Sequence, residues 1–461
     1  MKKQKSSKKG LVILCVVLAV AIAAIAAAAI LPGVIRRRQP AAKTAHFKVT
    51  APMYSYFFYD SVERQLTGGY KQVYEYYGIT ADTDLRTVKY SEEQSWFDFM
   101  EEATAKRLKT MLSYAESAID AGFTLDPTAG DETVADLRAK AAASGKGEGY
   151  LASRYGKGVS YEDIAKMEQI RALADARSTQ LAGEIVVTDG QIAAYAAEHE
   201  EKLLRADLCF YVLEPTEAIS DKTALREKAD QLASCNTLAL YSAWVRAYED
   251  ELAAASGGAP LTDDEWEEVY HDFYYEKLDY EATTQIDPNY RDRAPGETLV
   301  SVDEKTGSCG VLLALSPLAR DETPGFDLQI ASFTEENAAS LALEALSETT
   351  PTAEVFATAC EARGGAVTPL ENAPAEGAGL PAALSEWLLS RPEQGALYAF
   401  AEQKVSYLVR FGGEGYCGWQ KTAFAALRQE AYGVLEEKLL QDYAGKVTLA
   451  ENTAAKIAER K

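Results

Sequence analysis

The N-terminal end of the chain carries the strongest constraint, because a cluster of lysines is followed directly by a long uncharged apolar run. Five lysines lie within residues 1–9, and the 22 residues from Leu11 to Pro32 include no charged side chain. At about 1.5 Å per residue such a helix spans roughly 33 Å, enough to cross the hydrocarbon core of a bilayer. The pattern predicts a cytoplasmic tail at residues 1–10 and a transmembrane anchor at residues 11–35.

A cleaved signal peptide is the main alternative, since the alanines at residues 26–29 would suit a signal peptidase. The apolar run is longer than the usual apolar region of a signal peptide, and three arginines follow at residues 36–38, which favours a retained anchor. A lipoprotein fits less well, because Cys15 is preceded by Leu14 and not by a small residue. Positive charge before the run weakly favours a cytoplasmic N-terminus. We therefore expect a single-pass protein of the cell membrane whose large C-terminal domain is extracytoplasmic.

The charge of the remaining chain limits its partners. The whole protein has a net charge of −23, and residues 1–44 contribute +9, so the rest carries −32. A surface of this sign repels nucleic acid and anionic lipid. The 47% hydrophobic and 10% aromatic content predicts folded domains. Roughly 415 residues would form two to four of them at about 100–200 residues each.

Cysteine and histidine are too sparse to suggest metal or redox chemistry. Five cysteines follow the anchor without any CxxC spacing, which argues against a zinc site or a thioredoxin-like motif. The chain has three histidines, at positions 46, 199 and 271, and each is expected to be solvated. We predict no metal ion and no cofactor.

Helix signals dominate from Val49 to about residue 200. Capping boxes, in which a Ser or Thr precedes a Glu, Gln or Asp by three residues, mark three helix starts. They are Ser91 with Gln94, Ser160 with Asp163, and Thr188 with Gln191. The first of these helices should stop at Gly122 and the second near Gly183.

Strand-like apolar runs appear after Arg205, so the fold class is expected to be α+β. A helical stretch is predicted over residues 223–253, and Thr262 with Glu265 should cap a further helix. The predicted strands are 208–213, 311–315, 326–333 and 405–411.

A faint internal repeat also occurs in this part of the chain. Arg293-Ala-Pro-Gly296 precedes the strand at Val311, and Arg391-Pro-Glu-Gln-Gly395 precedes the strand at Val405. The offset is about a hundred residues. Two copies of one α/β module would explain it.

Two phrases resemble a known family of foldases. Residues 149–160 read GYLASRYGKGVS, and residues 187–195 read VTDGQIAAY after a helix rich in small residues. Both look like the helical chaperone domain of SurA/PrsA-type foldases, in which the second phrase leads into a parvulin-type prolyl isomerase domain. The resemblance implies a mostly helical chaperone domain at 45–204, parvulin-like modules at 205–320 and 325–415, and a C-terminal helix and tail at 416–461.

The second module resembles a parvulin in outline. Residues 326–333 look like its first strand, 337–346 like its first helix, and 380–389, with Trp387, like the segment before the turn at Gly395. In that family catalysis takes place in an apolar pocket beside two histidines on neighbouring strands. Here the last-strand histidine aligns near Tyr407 in the second module and near Val311 in the first. The resemblance therefore implies weak or absent catalysis, with Trp387 and Tyr407 as the pocket residues.

The same resemblance places Cys209 and Cys309 on adjacent strands, which makes a disulfide conceivable. It also implies that the helical domain binds unfolded or partly folded exported polypeptides. A chaperone needs adaptable amphipathic surface, and tyrosine offers large contact area at small entropic cost. The proposed client-binding residues are Tyr54, Tyr56, Tyr59, Tyr70 and Tyr77, from a crowd of aromatic residues that otherwise would pack the first helix.

The expected function is thus a membrane-anchored extracytoplasmic chaperone or foldase. An active peptidylprolyl cis-trans isomerase and a non-catalytic envelope scaffold protein are the alternatives.

Overall fold

The structure is a computed structural model that describes residues 40–460, except 81, 82, 148, 217, 218, 220, 336, 348, 349, 376–379 and 403. The predicted anchor and cytoplasmic tail lie outside the described residues. Within the described ranges, no helix combines the length and apolarity that crossing a membrane requires. The described chain divides into two compact units, residues 40–186 with 430–460, and residues 187–429. We call them the helical unit and the sheet unit.

The helical unit is built mainly from α-helices around one apolar core. Residues near both ends of the described chain meet in a small antiparallel sheet, in which Ala42 pairs with both Val49 and Leu449. Whether the tail after Leu449 packs on this region could not be predicted from the sequence, and in the structure it does. The described elements are β1 (Ala42–Lys43), β2 (Lys48–Val49), α1 (Ala51–Thr67), α2 (Lys71–Tyr76), α3 (Trp96–Asp120), α4 (Asp131–Ala143), α5 (Gly149–Tyr155), α6 (Tyr161–Gly183) and β12 (Thr448–Leu449).

Capping fixes the starts of these helices. The box predicted at Ser160 and Asp163 is confirmed, and α6 ends at Gly183 as expected. The first box was wrong: Ser95 and Asp98 cap α3, while the Ser91 hydroxyl only accepts a hydrogen bond from the Gln94 N–H. The capping box forms at Ser95 because this residue directly precedes Trp96, the buried first residue of α3.

The sheet unit contains two antiparallel sheets, one of five strands in the first module, where β7 (Ala319–Arg320) also pairs with β3 (Leu204–Leu213), and one of four strands in the second. The first module spans residues 204–320 and the second spans residues 325–414. Their elements are β3 (Leu204–Leu213), α8 (Lys222–Ala233), α9 (Leu238–Ala255), α10 (Asp263–Phe273), β4 (Tyr274–Asp279), α11 (Tyr280–Ile286), β5 (Thr298–Val302), β6 (Cys309–Ala314), β7 (Ala319–Arg320), then β8 (Gly325–Phe333), α12 (Ala338–Leu346), α13 (Ala353–Glu361), β9 (Ala366–Pro374), α14 (Ala382–Leu389), β10 (Leu397–Glu402) and β11 (Val405–Glu414). Helix α7 (Asp189–Glu198) precedes them, and α15 (Gly418–Tyr443) follows and runs past the unit boundary.

The four predicted strands are confirmed, as are the boxes at Thr188 and Thr262. The helical stretch predicted over 223–253 is instead two helices, because Thr237 caps a new start. The sequence placed its first domain boundary at residue 204, whereas α7 already belongs to the sheet unit.

Both sheets have the same strand order. In order of their own appearance, the strands of each module lie side by side as second, first, fourth, third: β4-β3-β6-β5 and β9-β8-β11-β10. The sequence repeat has a structural counterpart at its two glycines. Gly296 N donates to Ala314 O at 2.8 Å, and Gly395 N donates to Phe411 O at 2.8 Å, with φ of +88° and +87°.

A second shared feature was not anticipated. The carboxylate of Asp207 accepts a hydrogen bond from Lys277 N at 2.7 Å, and that of Asp327 accepts one from Asn372 N at 2.9 Å. Lys277 and Asn372 both have positive φ, and both pairs sit at an irregularity in the ladder between the first and second strands of the module. These matched bulges show that the two modules repeat in detail.

The proposed Cys209–Cys309 disulfide is absent. The two cysteines do lie on adjacent strands, but Cys209 pairs with Leu313, and Cys309 pairs with Leu213. They are therefore four residues apart along the ladder, or about 13 Å at 3.3 Å per residue. A disulfide needs Cα atoms within about 7 Å, and both thiols are free.

Candidate polypeptide-binding surfaces

Large apolar side chains cluster on the surface of the helical unit around α2. We call this cluster, Tyr70, Val73, Tyr76, Tyr77 and Tyr90, the tyrosine patch. All five are exposed, with Tyr76 at 85% and Tyr70 at 68%. Isolated exposed apolar residues are ordinary on a soluble protein, but a contiguous group marks a binding surface more often than not.

Local sequence explains why these rings point outward. Helix α2 is only six residues long, follows Gly68 and Gly69, and ends at Gly78, where φ is +69°. Two residues hold it in place: the rings of Tyr74 and Tyr77 both lie 5.6 Å from that of Trp96, and the Tyr74 hydroxyl donates to Gln65 Oε1 at 2.6 Å. A short helix held along one side leaves Tyr70, Val73 and Tyr76 in water.

The patch rests on rigid aromatic residues beneath it. The rings of Tyr77 and Tyr90 contact the buried Trp96 with centroids 5.6 and 5.0 Å apart, and Tyr90 stacks on Phe99 at 4.1 Å. Of the predicted client-binding residues, the structure therefore places Tyr70 and Tyr77 together on an exposed surface. Sequence reasoning missed Val73, Tyr76 and Tyr90 as members of it.

The other three predicted client-binding residues are corrected by the structure. Tyr54, Tyr56 and Tyr59 are buried, and their hydroxyls donate to Glu101 Oε1 at 2.9 Å, Glu168 Oε1 at 2.6 Å and Ala458 O at 3.0 Å. Burial raises the pKa of all three phenols, so they remain neutral donors. They lie inside because the part of α1 from Ala51 to Val62 is packed against α3, α5, α6 and the C-terminal segment.

A second apolar surface lies on the sheet of the second module. Trp387 of α14 stacks on Tyr398 at 5.1 Å, Tyr398 lies 6.0 Å from Phe400, and Phe400 stacks on Tyr407 at 4.9 Å. All four rings are half-buried. We call this row the aromatic ladder. The predicted pocket residues Trp387 and Tyr407 thus share one surface, at its two ends, and the middle two were missed because β10 was not predicted.

The chemistry of the ladder is apolar. Val409 and Phe411 lie buried on the same face, and residues 325–415 contain no histidine. The ladder offers flat aromatic faces to apolar groups, and the two histidines of a parvulin pocket have no counterpart in this module.

The equivalent face of the first module is filled differently. Counting back four residues from the matched hydrogen bonds at Ala314 and Phe411, Gly310 takes the place of Tyr407; the sequence alignment had put Val311 there. The half-buried Phe210 ring fills the space above Gly310, since a Cβ there would lie 2.8 Å from it. At the other end of the face Tyr290 is fully buried, and its hydroxyl donates to Asp207 O at 3.0 Å and Ser316 O at 2.9 Å.

His46 is exposed, as expected, but its ring also contacts a buried carboxylate. His46 Nδ1 lies 2.8 Å from the Glu116 Oε2 atom, and the Glu116 side chain is buried. Burial alone would raise the pKa of Glu116, but hydrogen bonds from Thr44 and His46 outweigh it and lower that pKa. Among the residues that the structure describes, no cluster of His, Cys, Asp and Glu could hold a metal ion.

A scan against models of known protein families finds no match, and a search of curated proteins finds no significant relative. The likeness to SurA/PrsA-type foldases therefore stays a prediction from the residues quoted above.

Proposed function

We propose that the protein is a membrane-anchored extracytoplasmic chaperone that binds unfolded or partly folded exported polypeptides. The tyrosine patch is the observation that supports this most. Each tyrosine offers about 150–250 Å² of contact area, so a client covering the patch would bury several hundred Å². That one-sided area is below the roughly 800 Å² that each partner buries in a standard-size protein interface. The binding would be weak and reversible, as a chaperone requires.

The charge of the protein supports the same class of partner. An acidic domain of this size repels nucleic acid and itself, which keeps a chaperone soluble while it holds an apolar client. The proposal includes no nucleotide, metal ion or cofactor.

A holdase assay tests the proposal. The full-length protein should suppress aggregation of a chemically denatured test protein without nucleotide. The triple variant Tyr70→Ser/Tyr76→Ser/Tyr77→Ser should need on the order of tenfold more protein for the same suppression, which corresponds to about 1.4 kcal/mol of binding free energy.

A matched control removes three exposed apolar side chains elsewhere, Val186→Ser/Leu240→Ser/Leu341→Ser. This variant should act like the parent protein. Far-UV circular dichroism and melting curves establish that both variants fold. Equal suppression by the two variants would contradict the role of the patch, and no suppression by the parent would end the chaperone proposal.

The aromatic ladder favours a second candidate, a peptidylprolyl cis-trans isomerase. The barrier to rotation about the amide bond is about 18–20 kcal/mol, and each tenfold acceleration requires that it fall by about 1.4 kcal/mol. Because the module has no histidine, we propose weak or absent catalysis, with the ladder serving to bind prolyl segments.

A proline-containing tetrapeptide assay separates the two candidates. We expect little acceleration. Strong acceleration that is lost in Trp387→Ala or Tyr407→Ala, but kept in the control Val212→Ala on the first module, would establish the isomerase instead. Tight binding of a single folded protein, with no affinity for unfolded chains, would replace both with a non-catalytic envelope scaffold.

A further inference from the structure

The C-terminal tail of the helical unit lies in a groove like a bound peptide. The tail, residues 451–460, follows β12 and contains one short turn of 3-10 helix, Ala454–Lys456, as its regular structure. The groove is formed by α1 and by the loop after α5. Its contacts with the tail join residues about 300 to 400 positions apart in the chain.

Backbone atoms of the tail make most of the polar contacts. Ala458 N donates to the Ser55 hydroxyl at 3.1 Å, and Ala458 O accepts from the Tyr59 hydroxyl at 3.0 Å. Glu459 O accepts from Lys157 N at 3.3 Å. Any polypeptide could supply these groups, so this part of the recognition does not depend on sequence.

The groove itself is a prepared surface. Ser55 is fully buried and donates its own hydrogen to Tyr155 O at 2.7 Å, which holds its oxygen ready to accept from the tail. Gly156 leaves room for the tail, because a Cβ there would lie 2.5 Å from Ala458 O. Two side chains of the tail bear on its recognition: Ile457 is buried as an apolar anchor, and the Arg460 guanidinium lies 4.0 Å from the centroid of the Tyr59 ring.

We propose that this groove is a binding site for an extended polypeptide segment with an apolar residue followed three positions later by a basic one, and that the tail occupies it as an internal competitor. The inference rests on the proposed chaperone function and adds a second site and its regulation. It also assigns a purpose to Tyr59, which the tail covers.

A tethered tail competes at high effective concentration. A client must displace the tail. The apparent affinity of the groove for the client is therefore its intrinsic affinity multiplied by the fraction of time that the groove is open. Removing the tail should therefore unmask the site.

The test uses a fluorescein-labelled peptide with the sequence of residues 451–460. A variant lacking residues 451–461 should bind it at least about tenfold more tightly than the full-length protein. The same peptide carrying Ile457→Asp should not bind. A deletion variant that keeps the parent's circular dichroism spectrum, yet does not bind the peptide, would overturn the proposal.

Point variants of the full chain cover the case in which the deletion variant does not fold. Ile457→Asp should release the tail and raise peptide binding, whereas the control Ala455→Asp, at an exposed tail position, should leave it unchanged. Equal peptide binding by these two variants would also overturn the proposal.

A denatured test protein should then compete with the labelled peptide. Failure to compete would overturn the assignment of clients to the groove. Peptide binding should be unchanged in the Tyr70→Ser/Tyr76→Ser/Tyr77→Ser variant, so a failure of the tyrosine patch in the holdase assay can be told apart from a failure of the groove.

Discussion

The two modules of the sheet unit share a strand order, a glycine turn and an aspartate-supported bulge, yet the equivalent faces of their sheets carry different side chains. In the first module this face holds the fully buried Tyr290 at one end and the Phe210 ring above Gly310 at the other. In the second module the same face carries the half-exposed aromatic ladder. The difference teaches that one fold can bury an aromatic ring in one copy and leave a row of rings half-exposed in the other, according to a few side chains.

The largest predicted effect is the difference in stability loss between two tyrosine variants, one at the buried Tyr290 of the first module and one at the half-buried Tyr407 of the second. Tyr290→Ala should lower the free energy of unfolding by about 3–5 kcal/mol, because it leaves a cavity and removes the donor to two carbonyl oxygens. Tyr407→Ala should lower it by only about 1 kcal/mol, since its ring is already half in water. Urea titration of each variant measures the difference. Similar losses would mean that the two faces are equally packed.

A smaller effect should appear at the matched glycines. An alanine at positive φ costs roughly 1–2 kcal/mol, so both Gly296→Ala and Gly395→Ala should destabilise. The second should cost more, because its Cβ would come 2.2 Å from the Thr350 Cγ2 atom, whereas the first would lie 3.3 Å from Asn236 O.

Thr350→Ser removes the atom responsible for the clash at Gly395. Combined with Gly395→Ala, it should restore the part of the unfolding free energy that is lost to the clash. The part that is lost to the positive φ should remain. If Gly296→Ala proves the more costly variant, or if Thr350→Ser changes nothing, the two turns do not differ as described.

The smallest predicted effect concerns charge at the bulge of the first module. Lys277 Nζ lies 3.2 Å from the Asp321 Oδ2 atom. Burial alone would raise the pKa of Asp321, but hydrogen bonds from Thr323 and Lys277, together with the lysine charge, lower it below the ordinary 3.8. A carboxyl whose pKa is lower in the folded protein stabilises the fold above its ordinary pKa, and this contribution is lost as the pH falls through the folded value.

Lys277→Met should therefore cost about 0.5–1 kcal/mol at pH 7, a value limited by the solvent exposure of the lysine. The difference from the parent protein should shrink as the pH falls below 3.8. Urea titrations across this range test the sign, and Lys277→Arg, which keeps the charge, is the control. A difference that does not change with pH would show that the ion pair contributes nothing.

Secondary structure was predictable where the signal is local. A capping box needs only four neighbouring residues, and three of the four predicted boxes are present. Among the strands that were missed, β4, β5, β9 and β10 are paired with partners that the local sequence does not reveal. Tyr274 was expected on the helix that Thr262 caps, but its pairing with Cys209 of β3 makes it the first residue of a strand.

The candidate surfaces were predictable in part. An aromatic-rich sequence indicates rings that must pack somewhere, and Tyr70 and Tyr77 are indeed on the surface while Tyr54, Tyr56 and Tyr59 are not. Helical periodicity does not distinguish them, because it cannot tell whether one face of a helix is covered or all of them.

The sequence by itself determined the charge of the protein, most helix starts and the strands of the apolar runs, because these depend on residues within a few positions of one another. Only the tertiary structure decided which tyrosines are buried, that the tail covers Tyr59, and that Tyr290 is buried in one module while Tyr407 is half-exposed in the other. Those outcomes depend on groups such as the Tyr290 hydroxyl and the Ala458 backbone, which reach their partners from about 80 and 400 positions away in the chain.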